Sequence, residues 1–116
     1  MGTEGETVVG PREIRILNEA YQDIEEIADF IAIKKQQPLN AIKVARSIWR
    51  TIEKIGENPF AFKECEALAT KAKLYRRAVC LSWLIIYKIT EEELLILGII
   101  HAGRSLETIR KLSKRK

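Results

Sequence analysis

Two adjacent arginines, Arg76 and Arg77, open an apolar run of this 116-residue chain, and the side chains best suited to handling an anion gather around them: Lys71, Lys73, Tyr75, Tyr87, Lys88, His101 and Arg104. A guanidinium presents a planar fork of donors that matches phosphate or carboxylate, and it can stabilise charge building on a phosphoryl group in transfer. Neighbouring strand residues point to opposite faces, so only one of the two arginines easily reaches a concave solvent side with its partners. The alternative role for either is a salt bridge to an acid. His101 carries an imidazole, which can serve as acid or base. As a lone histidine at a strand end it can equally hold Arg104 or the tail by hydrogen bonding, and the sequence puts no carboxylate or nucleophile beside it. Tyr75 and Tyr87 can stack on a base or donate a hydroxyl. Tyr87 lies between apolar neighbours, which suits core packing with the hydroxyl at an edge, and Trp49 and Trp83 read as core or partner-groove aromatics.

Other chemistries have no motif behind them. There is no Gly-rich phosphate loop, nucleophile elbow, HExxH or calcium loop, and Cys65, Cys80 and the single histidine make no zinc pattern. No cofactor is expected. The polar, acidic start from Met1 to Gly10 is unlike a secretory leader, and the longest nearly apolar stretch, Ala78 to Tyr87, is far below the roughly 20 residues a membrane helix needs. Cytoplasmic residence without membrane contact is the expectation, and the two cysteines read as free thiols with Cys80 buried. The net charge of +4 hides a polarity: residues 1–33 carry two basic and eight acidic side chains, while residues 34–116 carry eighteen basic and eight acidic. Such a basic portion attracts a polyanion or an acidic protein segment, or simply keeps the surface soluble.

The elements that position these residues follow from periodicity. Residues 1–11 read as a flexible lead, and Arg12 to Leu17 alternates as a short strand. Asn18 can cap the helix that follows. From Glu19 to about Lys34, Ala20, Ile24, Ile27, Ala28 and Ile31 form one apolar stripe, and after Gln36, Gln37 and Pro38 a second stripe runs through Ala41, Ala45, Ile48, Ile52 and Ile55. Its polar side carries Lys43, Arg46, Arg50 and Lys54. Gly56 and Pro59 close this helix, and a short connection makes the two an antiparallel hairpin needing a surface to cover. Asn58 to Lys73 reads as a surface connection or a short helical turn, and as the place for a binding loop. Three strands then follow, Leu74 to Cys80, Ser82 to Ile89 and Leu94 to His101, the last two joined at Thr90–Glu93. The end from Ser105 reads as a short helix with Leu106, Ile109 and Leu112 on one side. Residues 113–116 read as a frayed basic tail. The expectation is one α+β domain over residues 12–112, strand, helix hairpin and three antiparallel strands (β-α-α-β-β-β), with the helices on one antiparallel sheet.

Five segments in this order resemble the RelE/ParE toxin superfamily: AYQDIEEIADFI from Ala20, IWRTIEKIGENP from Ile48 to Pro59, LYRRAV from Leu74, WLIIYKI from Trp83 and ELLILGIIHAGR from Glu93 to Arg104. The resemblance spans roughly Arg12 to Leu112 and implies the toxin of a type II toxin–antitoxin module, neutralised by a cognate acidic, partly disordered antitoxin. RelE-like members of that superfamily cleave messenger RNA on the ribosome. On that branch the resemblance implies catalytic roles for Arg76 or Arg77, with lesser roles for Lys73, Tyr87 and His101 and with Lys71 or Lys73 near the phosphate. ParE-like members impair DNA gyrase and need no nuclease centre. The last strand here ends HAGR, close to the ParE-like ending, and has Gly98, Ile99 and Ile100 where RelE-like members place an arginine. The resemblance therefore points to the ParE-like branch, with Arg77, Arg104, Arg50 and Lys111 contacting target or antitoxin; a toxin-fold module without toxicity is a third possibility.

Overall fold

The apolar runs near the end of the sequence build the centre of the molecule. In the computed structural model, which describes residues 12–116, strands β4 (Trp83–Ile89) and β5 (Glu93–His101) pair antiparallel. The expected lead, residues 1–11, lies outside the described residues. Thr90 ties their turn: its amide donates to the Glu93 carbonyl at 3.0 Å and its hydroxyl accepts from the Glu93 amide at 3.0 Å. Strand β3 (Tyr75–Cys80) lies against β4 through the two-residue turn Leu81–Ser82, where Leu81 takes a φ of 57°. A two-residue strand β2 (Lys63–Glu64), unforeseen in the Asn58–Lys73 connection, pairs outside β3. Strand β1 (Glu13–Ile16) completes a five-stranded sheet of order β1-β5-β4-β3-β2.

The three later strands are antiparallel as expected, but β1 joins β5 in parallel, with Glu13 opposite Glu93 and Ile16 opposite Ile96. The sheet is therefore mixed rather than wholly antiparallel. A parallel return requires a long crossover, and the helix hairpin together with β2–β4 supplies it.

Helix α1 (Asn18–Asp29) starts directly from β1, and the capping residue is Leu17, not Asn18. Leu17 is extended and buried, and its carbonyl accepts from the Ala20 and Tyr21 amides at 2.9 and 3.1 Å; Asn18 already lies in the first turn and makes no side-chain cap. Burying a leucine at the corner outweighs what a polar cap would add, since a fully buried leucine contributes about 1.5–3 kcal/mol and a cap about 1 kcal/mol. The helix widens into one π-helical stretch, Phe30–Lys34, before Gln36 turns the chain at a φ of 55°. Helix α2 (Pro38–Glu57) has proline in its first turn, where no amide partner is lost, and buries Ala41, Val44, Ile48, Ile52 and Ile55. These residues join Ala20, Ile24, Ile27 and Ile31 of the α1 arm and the apolar sheet residues Leu84–Tyr87 and Leu94–Leu97 in one core.

Helix α3 (Leu106–Leu112) begins at Ser105, whose hydroxyl accepts from the Thr108 amide, and buries Ile109 and Leu112. It touches β5 and the short turn Glu66–Leu68, which puts it across the sheet face that the hairpin leaves open. The basic end beyond it is not frayed at Arg115. That guanidinium pairs with Asp23 of α1 at 2.8 Å and donates to the Leu97 carbonyl at 2.9 Å, while the same Asp23 oxygen accepts from the Ile99 amide at 3.0 Å. β5 bulges here, because Ile86 faces Gly98 while Tyr87 faces Ile96, leaving Leu97 as an extra residue. A side chain from 76 residues earlier and one from 18 residues later thus satisfy backbone groups just past the end of β1. Gly98 makes room for them: a β-carbon there would sit 2.5 Å from Arg115 Nη1 and 2.7 Å from Asp23 Oδ2.

Candidate functional site

The residues that chemistry singles out are divided between the two ends of the sheet. Arg76 lies opposite Tyr87, and Trp83 lies opposite His101. Four residues of β4 separate those rungs, roughly 13 Å at the strand rise. Lys73, Arg76 and Tyr87 stand at one end, His101 and Arg104 at the other, and no single catalytic cluster forms from them.

At the first end the side chains are committed to the fold. Arg76 shares its sheet face with the buried Ala78 and Cys80, while Arg77 shares the other with the exposed Val79, so the two arginines do point apart. The Arg76 guanidinium donates to three backbone carbonyls, Phe62 at 2.8 Å, Lys73 at 3.1 Å and Phe60 at 3.3 Å. Tyr87 is fully buried, not merely edge-exposed, and its hydroxyl donates to the Pro59 carbonyl. Burial pushes the phenol well above its ordinary value, against a smaller opposing effect of the Arg76 charge, so it holds its proton more tightly than a free tyrosine does. Phe62 meets the Tyr87 ring edge-on at 6.3 Å. Together Arg76 and Tyr87 clamp the chain where it leaves α2. Sequence reasoning missed Phe60 and Arg12 here: Phe60 is 54% exposed and lies between the guanidiniums of Arg12, at 5.3 Å, and Arg76, at 5.4 Å. No local pattern marks that stack, since its members come from three separate segments. Lys73 is exposed with a φ of 54°, and Lys71 is exposed beside it. Lys88 stands 5.5 Å over the Tyr75 ring.

Cys65 and Cys80 are both buried and free. The Cys65 amide bonds to the Tyr75 carbonyl, five residues along β3 from Cys80, a separation of roughly 17 Å. Burial raises the Cys65 thiol above its ordinary value, with lesser lowering from the Ala67 and Leu68 amides and the Arg77 charge.

The second end is open. A cavity of about 720 Å³ has an apolar floor of Ile27, Phe30, Trp83, Ile99 and Ile100, with Asp23 and Glu26 on one rim and His101 and Arg104 on the other. His101 is exposed, packs edge-on against Trp83 at 5.3 Å, and accepts the Gly103 amide on Nδ1 at 3.1 Å. That bond closes the turn that presents the exposed Arg104. Lys111 is exposed on α3 and Arg50 on α2, away from this mouth, and Arg77 is half-buried near Cys65. Asp23 locks one wall of the cavity. Its tie is to an arginine 92 positions away, which periodicity does not reveal.

Comparison with known proteins agrees with this geometry. The chain matches the fold of a protein described as "Chromosomal ParDE TA system from P. aeruginosa" with a TM-score of 0.62 and 14% identity, covering 78% of this chain and 96% of that one. A second solved structure, YafQ from E. coli strain BL21(DE3), aligns over 78% of this chain and 92% of its own at 21% identity and a TM-score of 0.44. No curated protein matches. Residues 14–106 match the family described as the ParE toxin of type II toxin-antitoxin system, parDE. The chain belongs to that ParE toxin family, within the wider RelE/ParE superfamily.

Proposed function

We propose that this toxin acts by binding DNA gyrase rather than by cutting RNA, and that a cognate acidic antitoxin neutralises it. The observation that carries the reading is the condition of Arg76 and Tyr87. A nuclease would need the arginine's donors free for a phosphate and a side chain able to move a proton, yet Arg76 is bonded to three carbonyls and Tyr87 is buried on Pro59. His101, the remaining acid–base group, belongs to the far end of the sheet. Binding requires only exposed groups of the right charge, and Arg104, Arg50 and Lys111 are exposed. The half-buried Arg77 adds charge on the α3 side. An acidic antitoxin segment complements the eighteen basic side chains of residues 34–116.

Induced expression of the chain without antitoxin tests the proposal, with DNA supercoiling and double-strand breaks read beside messenger-RNA cleavage. Early loss of supercoiling or DNA breaks is expected with intact transcripts. Codon-linked cleavage with normal DNA would establish the RelE-like reading instead, and neither effect would mark a toxin-fold interaction module.

A further inference from the structure

We propose that the outer face of the helix hairpin is a pairing surface for a second copy of this chain. The face opposite the core is divided lengthwise by charge. On α1, Glu25 and Asp29 are exposed; on α2, Lys43, Arg46 and Arg50 are exposed, spaced so that helical periodicity turns them outward together. The two ion pairs found among the described residues, Arg15–Glu93 and Arg115–Asp23, involve neither stripe. At the tip where the helices meet, the face becomes apolar: Ile33 is 69% exposed, Leu39 82% and Ile42 54%. Leaving three large aliphatic side chains this bare at one spot forgoes burial that a partner would supply.

A two-fold axis running along the hairpin, in the plane of contact, uses both features at once. It lays α1 of one copy over α2 of the other and brings tip onto tip. Counting about 1.5 Å per residue from the turn, Asp29 comes level with Lys43 and Val44 of the second copy, and Glu25 falls between Arg46 and Arg50. Ile33 meets Leu39 and Ile42. The symmetry repeats every contact, so one acidic and one basic stripe make two complementary seams. From the tip to Arg50 the face covers roughly 400 Å² per copy, below the ~800 Å² of a standard interface. The dimer is accordingly one that dissociates on dilution and weakens with salt.

Sedimentation of the purified full chain over a range of concentration and salt tests this, together with two charge-reversed variants, Arg46→Glu/Arg50→Glu and Glu25→Lys/Asp29→Lys. All four positions are exposed, and circular dichroism confirms folding of each variant. The wild type should show a reversible monomer–dimer equilibrium, and each variant alone should dimerise at least about a hundredfold more weakly, because like charges then face each other in both seams. Mixing the two variants should restore dimer, since an all-acidic face then meets an all-basic one. A wild type that is monomeric up to its solubility limit overturns the proposal. So does a dimer indifferent to both reversals, or a mixture that stays monomeric.

Discussion

The two ends of the sheet hold similar side-chain types and use them in opposite ways. At the β3–α2 end, an arginine and a tyrosine are consumed by main-chain carbonyls and close the structure around Pro59–Phe62. At the β5–α3 end, an arginine and a histidine stand exposed beside a cavity whose floor is apolar. The lesson is that a basic residue's partners decide its role, and these are backbone oxygens from distant segments that residue spacing does not disclose.

The sharpest way to break this comparison is at the wall of the open end. Asp23→Ala removes the acceptor for Arg115 and for the Ile99 amide together, and stranding those donors should lower stability by about 2–3 kcal/mol in urea unfolding. A change below about 0.5 kcal/mol would mean that this end is not held by its single carboxylate. At the closed end, Tyr87→Phe should cost about 1–2 kcal/mol by leaving the Pro59 carbonyl unpaired, with growth inhibition falling only as far as the folded fraction does. Abolished inhibition at unchanged stability would assign the hydroxyl to chemistry and erase the contrast between the ends. Arg104→Glu should leave stability within about 0.5 kcal/mol, as an exposed change, yet remove growth inhibition on induction.

The smallest effect near neutrality comes from titration. Because the Tyr87 phenol is raised in the folded chain, the unfolded chain loses that proton first as pH climbs past its ordinary value of about 10. The stabilising contribution is therefore fully present below that pH and is lost as pH rises through the folded value. Urea midpoints should fall on alkalinisation, and Tyr87→Phe should flatten the fall; an equal slope in both proteins would detach it from this group.

The sequence carried more of the frame than of the site. Both helices and the three late strands were legible because long apolar stripes and runs, such as Ile48–Ile52–Ile55 and Leu84–Tyr87, leave few other ways to bury them. The parallel pairing of β1 was not, since four alternating residues serve equally well on either edge and in either direction. The cap went to Leu17 over Asn18 because tertiary burial overrode a local preference. At the site, burial of Tyr87 followed from its apolar neighbours in sequence. The Phe60 stack and the Asp23–Arg115 tie did not, being assembled across 64 and 92 positions respectively.

The parallel seam between β1 and β5 also bears on when the protein becomes whole during its synthesis. Arg12 bonds to the Thr90 carbonyl across 78 positions, and β1 has no strand to join until β5 exists. At about 5–20 residues per second a ribosome needs roughly 4–16 s to cover that distance. Until then β1 stands at the start of the growing chain with both of its edges unpaired.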